Sequence, residues 1–406
     1  MTALAPAPRP STAPPAGRRT AATRPVAATS AQLPGVQPAG LPGPKLYWRL
    51  RLGLVIAVLT STVLAVVAIS LADLSATMSA QADAYAHNLS ALRVMVAQTR
   101  AYGLLSAADP TNQGWYDTAN QLPAAVDGLM AEVTMTAPST QVAGDLLTAV
   151  RQWQASLTRL MVSAGDDAGS SSLANTIELE APAYAQFDDV LVGRTQSAAT
   201  DFGVPPSAAV WLGASLTLSC LAAAALILAL VLTARRSHRV LNLGLVVTLA
   251  ALIVTAVIVG RYLSQSTTGS APDQTNNPVA AQVLTWTALS DNALGLLDEP
   301  WQATSHFNAA ANHLHQAAAT SSTSVDDLIM EQDQIAAAPA DQRASLIANA
   351  LPQWTMTTEA MANSGPTSPA RPQSTWLVDL CLVVGLGLLG LVGVLAGIHW
   401  RVKEYR

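Results

Sequence analysis

The sequence predicts an all-α integral membrane protein, with four transmembrane helices and two antiparallel helical bundles outside the cytoplasm. Three observations carry that expectation. Four long stretches lack any charge, the segments between them repeat apolar residues at helical spacing, and basic and acidic residues are sharply segregated along the chain. Half of the 406 residues are apolar and 12% are charged, rich and poor respectively for a soluble chain.

Between Arg51 and Asp73 lie 21 uncharged residues, and between Asp201 and Arg235 lie 33. Another 21 separate Arg239 from Arg261, and 19 separate Asp379 from His399. Roughly 20 apolar residues cross a hydrocarbon layer, so the expected spans are residues 49–72, 205–234, 240–263 and 375–400. The first is too long, and too far from the start of the chain, to read as a cleaved leader.

Ahead of the first span, residues 1–48 form a Pro- and Ala-rich tail, with ten prolines by residue 44. Such a composition buries too little apolar surface to fold. It suits a docking tail or a solubilising leader.

Residues 73–204 should form the first bundle. Leu71, Leu74, Met78, Ala82, Tyr85, Leu89, Leu92 and Val96 recur at steps of three and four. With no Pro or Gly from 54 to 102, the first span should continue outward as one rod. Further helices are expected over Trp115–Val133, Val142–Ala164 and Leu173–Ala198, with Pro123 kinking or restarting the second and Pro182 starting the fourth. Glu180 and Arg194 fall on the apolar seam of that fourth helix, where a polar pair can fix register or switch between states.

Residues 264–374 should form the second bundle, as a looser copy. Ala101–Leu122 aligns without gaps to Ala293–Leu314 with seven identities in 22, and Gln152-Trp153 is echoed by Gln353-Trp354. A duplication of span–bundle–span explains both. Residues 235–239 would be a short cytoplasmic turn and residues 401–406 a cytoplasmic tail.

Sidedness follows from Arg and Lys placement. The segment before the first span, the turn between the second and third, and the tail hold 13 basic residues against one acid. Residues 73–206 have 14 acids and five Arg, and 262–375 have ten acids and two Arg. Both termini are therefore expected in the cytoplasm, in a multi-pass plasma-membrane protein. The basic segments can meet anionic lipid, and nothing points to nucleic acid. The two cysteines, Cys220 and Cys381, both lie in expected spans, which leaves the bundles no disulfide framework.

No phosphate-cradling loop, nucleophile elbow, HExxH or paired cysteines occur, so neither an enzyme nor a cofactor protein is expected. His306, His313 and His315 do not converge on one ion, because positions 313 and 315 lie on opposite faces of a helix. Arg93 and Arg100, seven residues apart on one helical face, are candidate ligand-binding residues for a carboxylate; salt bridges to neighbours such as Glu178 or Glu180 are the alternative. The corresponding positions of the second bundle are Thr285 and Asn292. Gly393 and Gly397 form a GxxxG helix-packing motif, serving either homodimerisation or packing within one chain. Asp379 reads as interfacial, and Trp376 and Trp400 mark the two membrane boundaries.

A span–bundle–span unit resembles the sensor half of bacterial chemoreceptors, without their signalling coiled coil. Four spans, tandem bundles, little cytoplasmic chain and 19 Arg against two Lys are more similar to actinobacterial membrane sensors of the GlnX type, over residues 49–406. That resemblance implies a receptor or adaptor for amino-acid sensing. It would read an extracytoplasmic solute-binding lipoprotein and signal to a cytoplasmic serine/threonine kinase. No motif of that family anchors particular binding residues. A structural scaffold in envelope assembly is the other reading.

Overall fold

The computed structural model describes residues 44–165, 170–204, 208–237, 242–267, 277–298, 300–364 and 375–404. The expected tail before residue 44, residues 238 and 239 of the expected turn, and Pro205, Pro206, Pro366, Pro369 and Pro372 lie outside them, while residues 235–237 of that turn are helical. Every regular element among the described residues is a helix. In chain order they are α1 (Pro44–Ala108), α2 (Gln113–Thr136), α3 (Thr140–Gly165), α4 (Ser170–Asp201), α5 (Ala208–Ser237), α6 (Leu243–Thr267), α7 (Pro278–Leu297), α8 (Pro300–Thr320), α9 (Asp326–Ala337), α10 (Ala340–Asn363) and α11 (Trp376–Glu404).

Four helices are long and apolar enough to cross a membrane: Trp48–Ala108 within α1, Ala209–Leu232, Leu243–Ser264 and Trp376–Trp400. They pack as one layer. At one end Leu54 and Val58 of α1 meet Leu226 and Ala229 of α5, Leu245 of α6, and Val394 and Ile398 of α11. At the other end Ala65 and Ile69 meet Leu212, Val259 and Val383. The start of α1, the end of α5, the start of α6 and the end of α11 thus share one side.

Gly393 and Gly397 lie at the contact of α11 with α6. A Cβ on Gly393 would meet the Gly244 carbonyl oxygen at 2.6 Å, and one on Gly397 would meet Asn242 Oδ1, also at 2.6 Å. Asn242 Nδ2 donates to the Gly397 carbonyl at 3.1 Å, and Thr248 Oγ1 to that of Gly390 at 2.9 Å. In this chain the motif seats one span against another of the same molecule. Ser61 and Ser219 share a buried hydrogen bond of 2.9 Å between α1 and α5. At the far boundary Asp379 accepts from Tyr262 and Thr375 at 3.0 and 3.1 Å, with Arg261 3.9 Å away.

The rod continues without a break. α1 runs 65 residues, about 97 Å at the helical rise, from the apolar layer into a bundle with α2, α3 and α4. Tyr85, Leu89, Leu92 and Val96 pack there against Val126, Met130, Trp153, Phe187 and Leu191. Asn112 caps α2 by accepting from the Trp115 amide at 3.3 Å. α4 ends in a left-handed Gly203 with φ 63°; Val204 N bonds the Ala199 carbonyl and Gly203 N that of Thr200, closing the helix as a Schellman turn.

The expectation that Pro182 starts the fourth helix is corrected. α2 passes through Pro123 without restarting, and α4 begins at Ser170 with Pro182 in its interior. One missing amide bond does not end a helix whose neighbours on both sides are buried: Ala119 and Val126 hold α2, and Glu180 and Tyr184 hold α4.

The second helical set is not insulated from the first. One hydrophobic cluster joins Ala97, Ala101, Leu104 and Leu105 of α1, Trp115 and Leu160 to Trp286, Leu289, Phe307, Leu328 and Trp354 of the later helices. α7 is its centre, buried on nearly every face. Such burial requires internal partners for polar side chains, and Gln282 Nε2 accordingly donates to the Thr358 carbonyl at 2.7 Å. The aligned segments 101–122 and 293–314 are the α1–α2 and α7–α8 corners. The Gln-Trp echo does not follow that correspondence. Trp153 lies on α3, the third helix of its set, whereas Trp354 lies on α10, the fourth.

Candidate functional site

Where α1, α3 and α4 converge, the seams carry charge instead of hydrocarbon. Arg93 and Arg100 stand two turns apart on α1 and face two carboxylates of α4. Arg93 donates through Nε and Nη2 to Asp188 at 2.5 and 2.7 Å. Arg100 donates through the same pair of nitrogens to Glu180 at 3.0 and 3.1 Å. Because α4 runs antiparallel to α1, the 93-to-100 spacing meets the 188-to-180 spacing.

The two pairs differ in setting. Arg93 and Asp188 are about one-fifth exposed, whereas Glu180 is wholly buried and Arg100 nearly so. A buried carboxylate needs several donors, and Trp153 Nε1 of α3 supplies another at 3.4 Å. On the other side, the Arg100 guanidinium lies 4.3 Å from the centroid of the Tyr184 ring. Burial pushes the Tyr184 hydroxyl up to about 12, with the Asp188 charge adding to that and Arg100 opposing it.

This chain of contacts binds three helices: α1 through Arg100, α4 through Glu180 and Tyr184, and α3 through Trp153. α1 is joined to the later helices where the Tyr102 ring lies 6.0 Å from that of Trp286.

The position matching Arg100 holds Asn292, which exchanges two hydrogen bonds with Gln332 of α9 at 2.7 and 2.8 Å. Gln332 also donates to the Phe307 carbonyl at 3.1 Å. A buried ion pair in one set thus stands where the other has a neutral amide pair. Thr285, opposite Arg93 in the alignment, bonds the Ala281 carbonyl of its own helix at 2.9 Å.

Both candidate arginines are therefore engaged by carboxylates of this chain. Glu180 was legible as a partner, but Asp188 was not, although its eight-residue offset from Glu180 suits an antiparallel partner for positions 93 and 100.

No nucleophile is arranged with a base in this cluster; what it can do is hold register. Among the described residues no group of three His, Cys, Asp or Glu side chains converges as a metal site. His306 pairs with Asp298 at 2.6 Å and His313 with Asp291 at 2.8 Å. No protein-family model, curated protein or solved structure matches this chain.

Proposed function

We propose that this protein is a plasma-membrane signalling receptor or adaptor. It reads an exported solute-binding protein, or a small ligand, through its helical bundles and passes that state to a cytoplasmic partner such as a serine/threonine kinase. The observation that carries the reading is α1. A single helix contacts the other three apolar helices at one end and the buried polar cluster at the other. A displacement of the bundle relative to the membrane is then a displacement of the start of α1. Rigid elements that shift by small steps between packed arrangements are a recurrent basis for switching. Support for sidedness comes from the charge distribution, 13 basic residues and one acid in the three segments assigned to the cytoplasm. On this reading the two helical sets are tandem extracytoplasmic bundles derived from one span–bundle–span unit.

The shared core favours one other reading. Bundles fused through α1 and α7 would also serve as a rigid scaffold in envelope assembly. Crosslinked co-purification from native membranes separates the two. A receptor should retain an exported binding protein and a cytoplasmic kinase, with crosslinks to the kinase changing as solute is added. Recovery of envelope-assembly proteins alone, insensitive to solute, would replace the receptor with the scaffold.

A further inference from the structure

The later helices hold ionisable side chains in a second arrangement. His306 and His313 of α8 face two carboxylates across the α7–α8 hairpin. His306 Nε2 meets Asp298 Oδ2 at 2.6 Å, and His313 Nδ1 meets Asp291 Oδ2 at 2.8 Å. The step between the two histidines matches the step between the two aspartates, so two bonds close one antiparallel hairpin. A neutral imidazole can make such a bond. A protonated one makes it charge-assisted and roughly twice as strong, and histidine gains that charge between about pH 8 and pH 5.

α9 adds a third titratable group. Gln332 seats α9 on the hairpin through Asn292 of α7 and the Phe307 carbonyl of α8. Beside it, Glu331 keeps Oε2 buried with no hydrogen-bond partner among the described residues. Burial raises the Glu331 carboxyl above 4.5, and the Asp327 charge one turn back adds to that. Above its folded value the carboxyl is a poorly solvated charge in the fold and a well solvated one in the unfolded chain. That penalty lifts as pH falls through the folded value toward 4.5, so this group stabilises the fold on acidification.

The charges around these groups act in the same direction. α7 contributes Asp291 and α9 contributes Asp326, Asp327 and Asp333 besides Glu331, with Asp298 at the end of α7. Against these acids stand Arg343 of α10, whose guanidinium lies 4.6 Å from the Phe307 ring centroid, and Arg100 of α1, within electrostatic reach of Asp291. Acids outnumber arginines, so added protons relieve repulsion. We propose that α7, α8 and α9 form a unit that tightens in acid, as His306, His313 and Glu331 take up protons. Because Asp291 answers to both His313 and Arg100, the state of this unit reaches α1. The inference goes beyond the receptor reading, since the response stands whichever side of the membrane these helices occupy.

Hydrogen exchange on the full chain in nanodiscs, compared at about pH 7.5 and about pH 5.5 with intrinsic rates corrected, tests it. Protection of α8 and α9 should rise by about 5-fold in acid, the scale of one or two strengthened surface pairs. α2 and α3, which carry no histidine, should show no such gain. The double variant His306→Gln/His313→Gln should remove most of the gain. Glu331→Gln, neutral at every pH, should raise protection of α9 at the higher pH, and it keeps the test valid if the histidine variant fails to fold. His315→Gln, on the exposed face of α8, should change nothing. No gain in α8 and α9, an equal gain in α2 and α3, or a gain that survives both the double histidine variant and Glu331→Gln would overturn the unit.

Discussion

Arg100 and Glu180 show how much depends on two side chains. Removing one partner of a buried ion pair strands the other charge at a cost of about 3–5 kcal/mol, whereas replacing both with apolar groups is often close to neutral. Glu180→Gln should therefore lower stability by about that amount in denaturant titrations of the solubilised protein. The double variant Arg100→Met/Glu180→Leu should recover most of the loss. If the single and double variants lose equally, the pair is not the source of the effect. Tyr184 gives a pH signature of the same cluster. Its hydroxyl titrates near 10.0 when unfolded and is raised to about 12 in the fold. Below pH 10 both states keep the proton. Between pH 10 and 12 the unfolded chain releases it first, so folding stability should decline as pH rises through that window. Tyr184→Phe should flatten this component of the alkaline melting curve, and an unchanged slope would remove Tyr184 from the account.

Helices respond to glycine according to what stands beside each one. Gly393 faces the Gly244 carbonyl and Thr248 across the α6–α11 contact. Gly393→Val should force the two spans apart and cost about 1–3 kcal/mol as overpacking. Gly144, exposed within α3, has nothing within 4 Å of its Cβ position, and Gly144→Ala should instead stabilise by about 0.5–1 kcal/mol. Melting temperatures of the two variants should move in opposite directions. The elements themselves were largely legible in the sequence. Uncharged length reveals the four apolar helices, and the three-four spacing of Leu71 through Val96 continues the first of them. Pro182 misled because its local penalty is outweighed by buried neighbours one turn or less away, which sequence spacing does not weigh. The Gln-Trp echo misled for a related reason: similar dipeptides landed on different helices of the two sets. Of the candidate site, the arginines and Glu180 could be read from pattern. Asp188 could not, since its role depends on which helices become neighbours.

For the chain as a whole, sidedness is the expectation most open to direct test. Met135 is 79% exposed near the end of α2, so Met135→Cys offers a handle far from the apolar layer. The native Cys220 and Cys381 should first be replaced by Ala. Membrane-impermeant maleimide should then label the added thiol in intact cells, if residues 73–204 lie outside. Labelling that requires cell lysis would invert the arrangement and remove the basis of the receptor reading.

The cluster joining Ala97, Ala101, Leu104 and Leu105 to Trp286 and Leu289 also bears on how this protein can be handled. An excised fragment comprising 73–204 would carry a strip of small and branched hydrocarbon on α1 into water, stripped of the later helices' side chains that cover it. Such exposed strips drive self-association, so that fragment should oligomerise on size-exclusion chromatography. A version that splices 277–364 behind it through a flexible linker should elute as a monomer. Dissection at the apparent bundle boundary would therefore cut through a hydrophobic core.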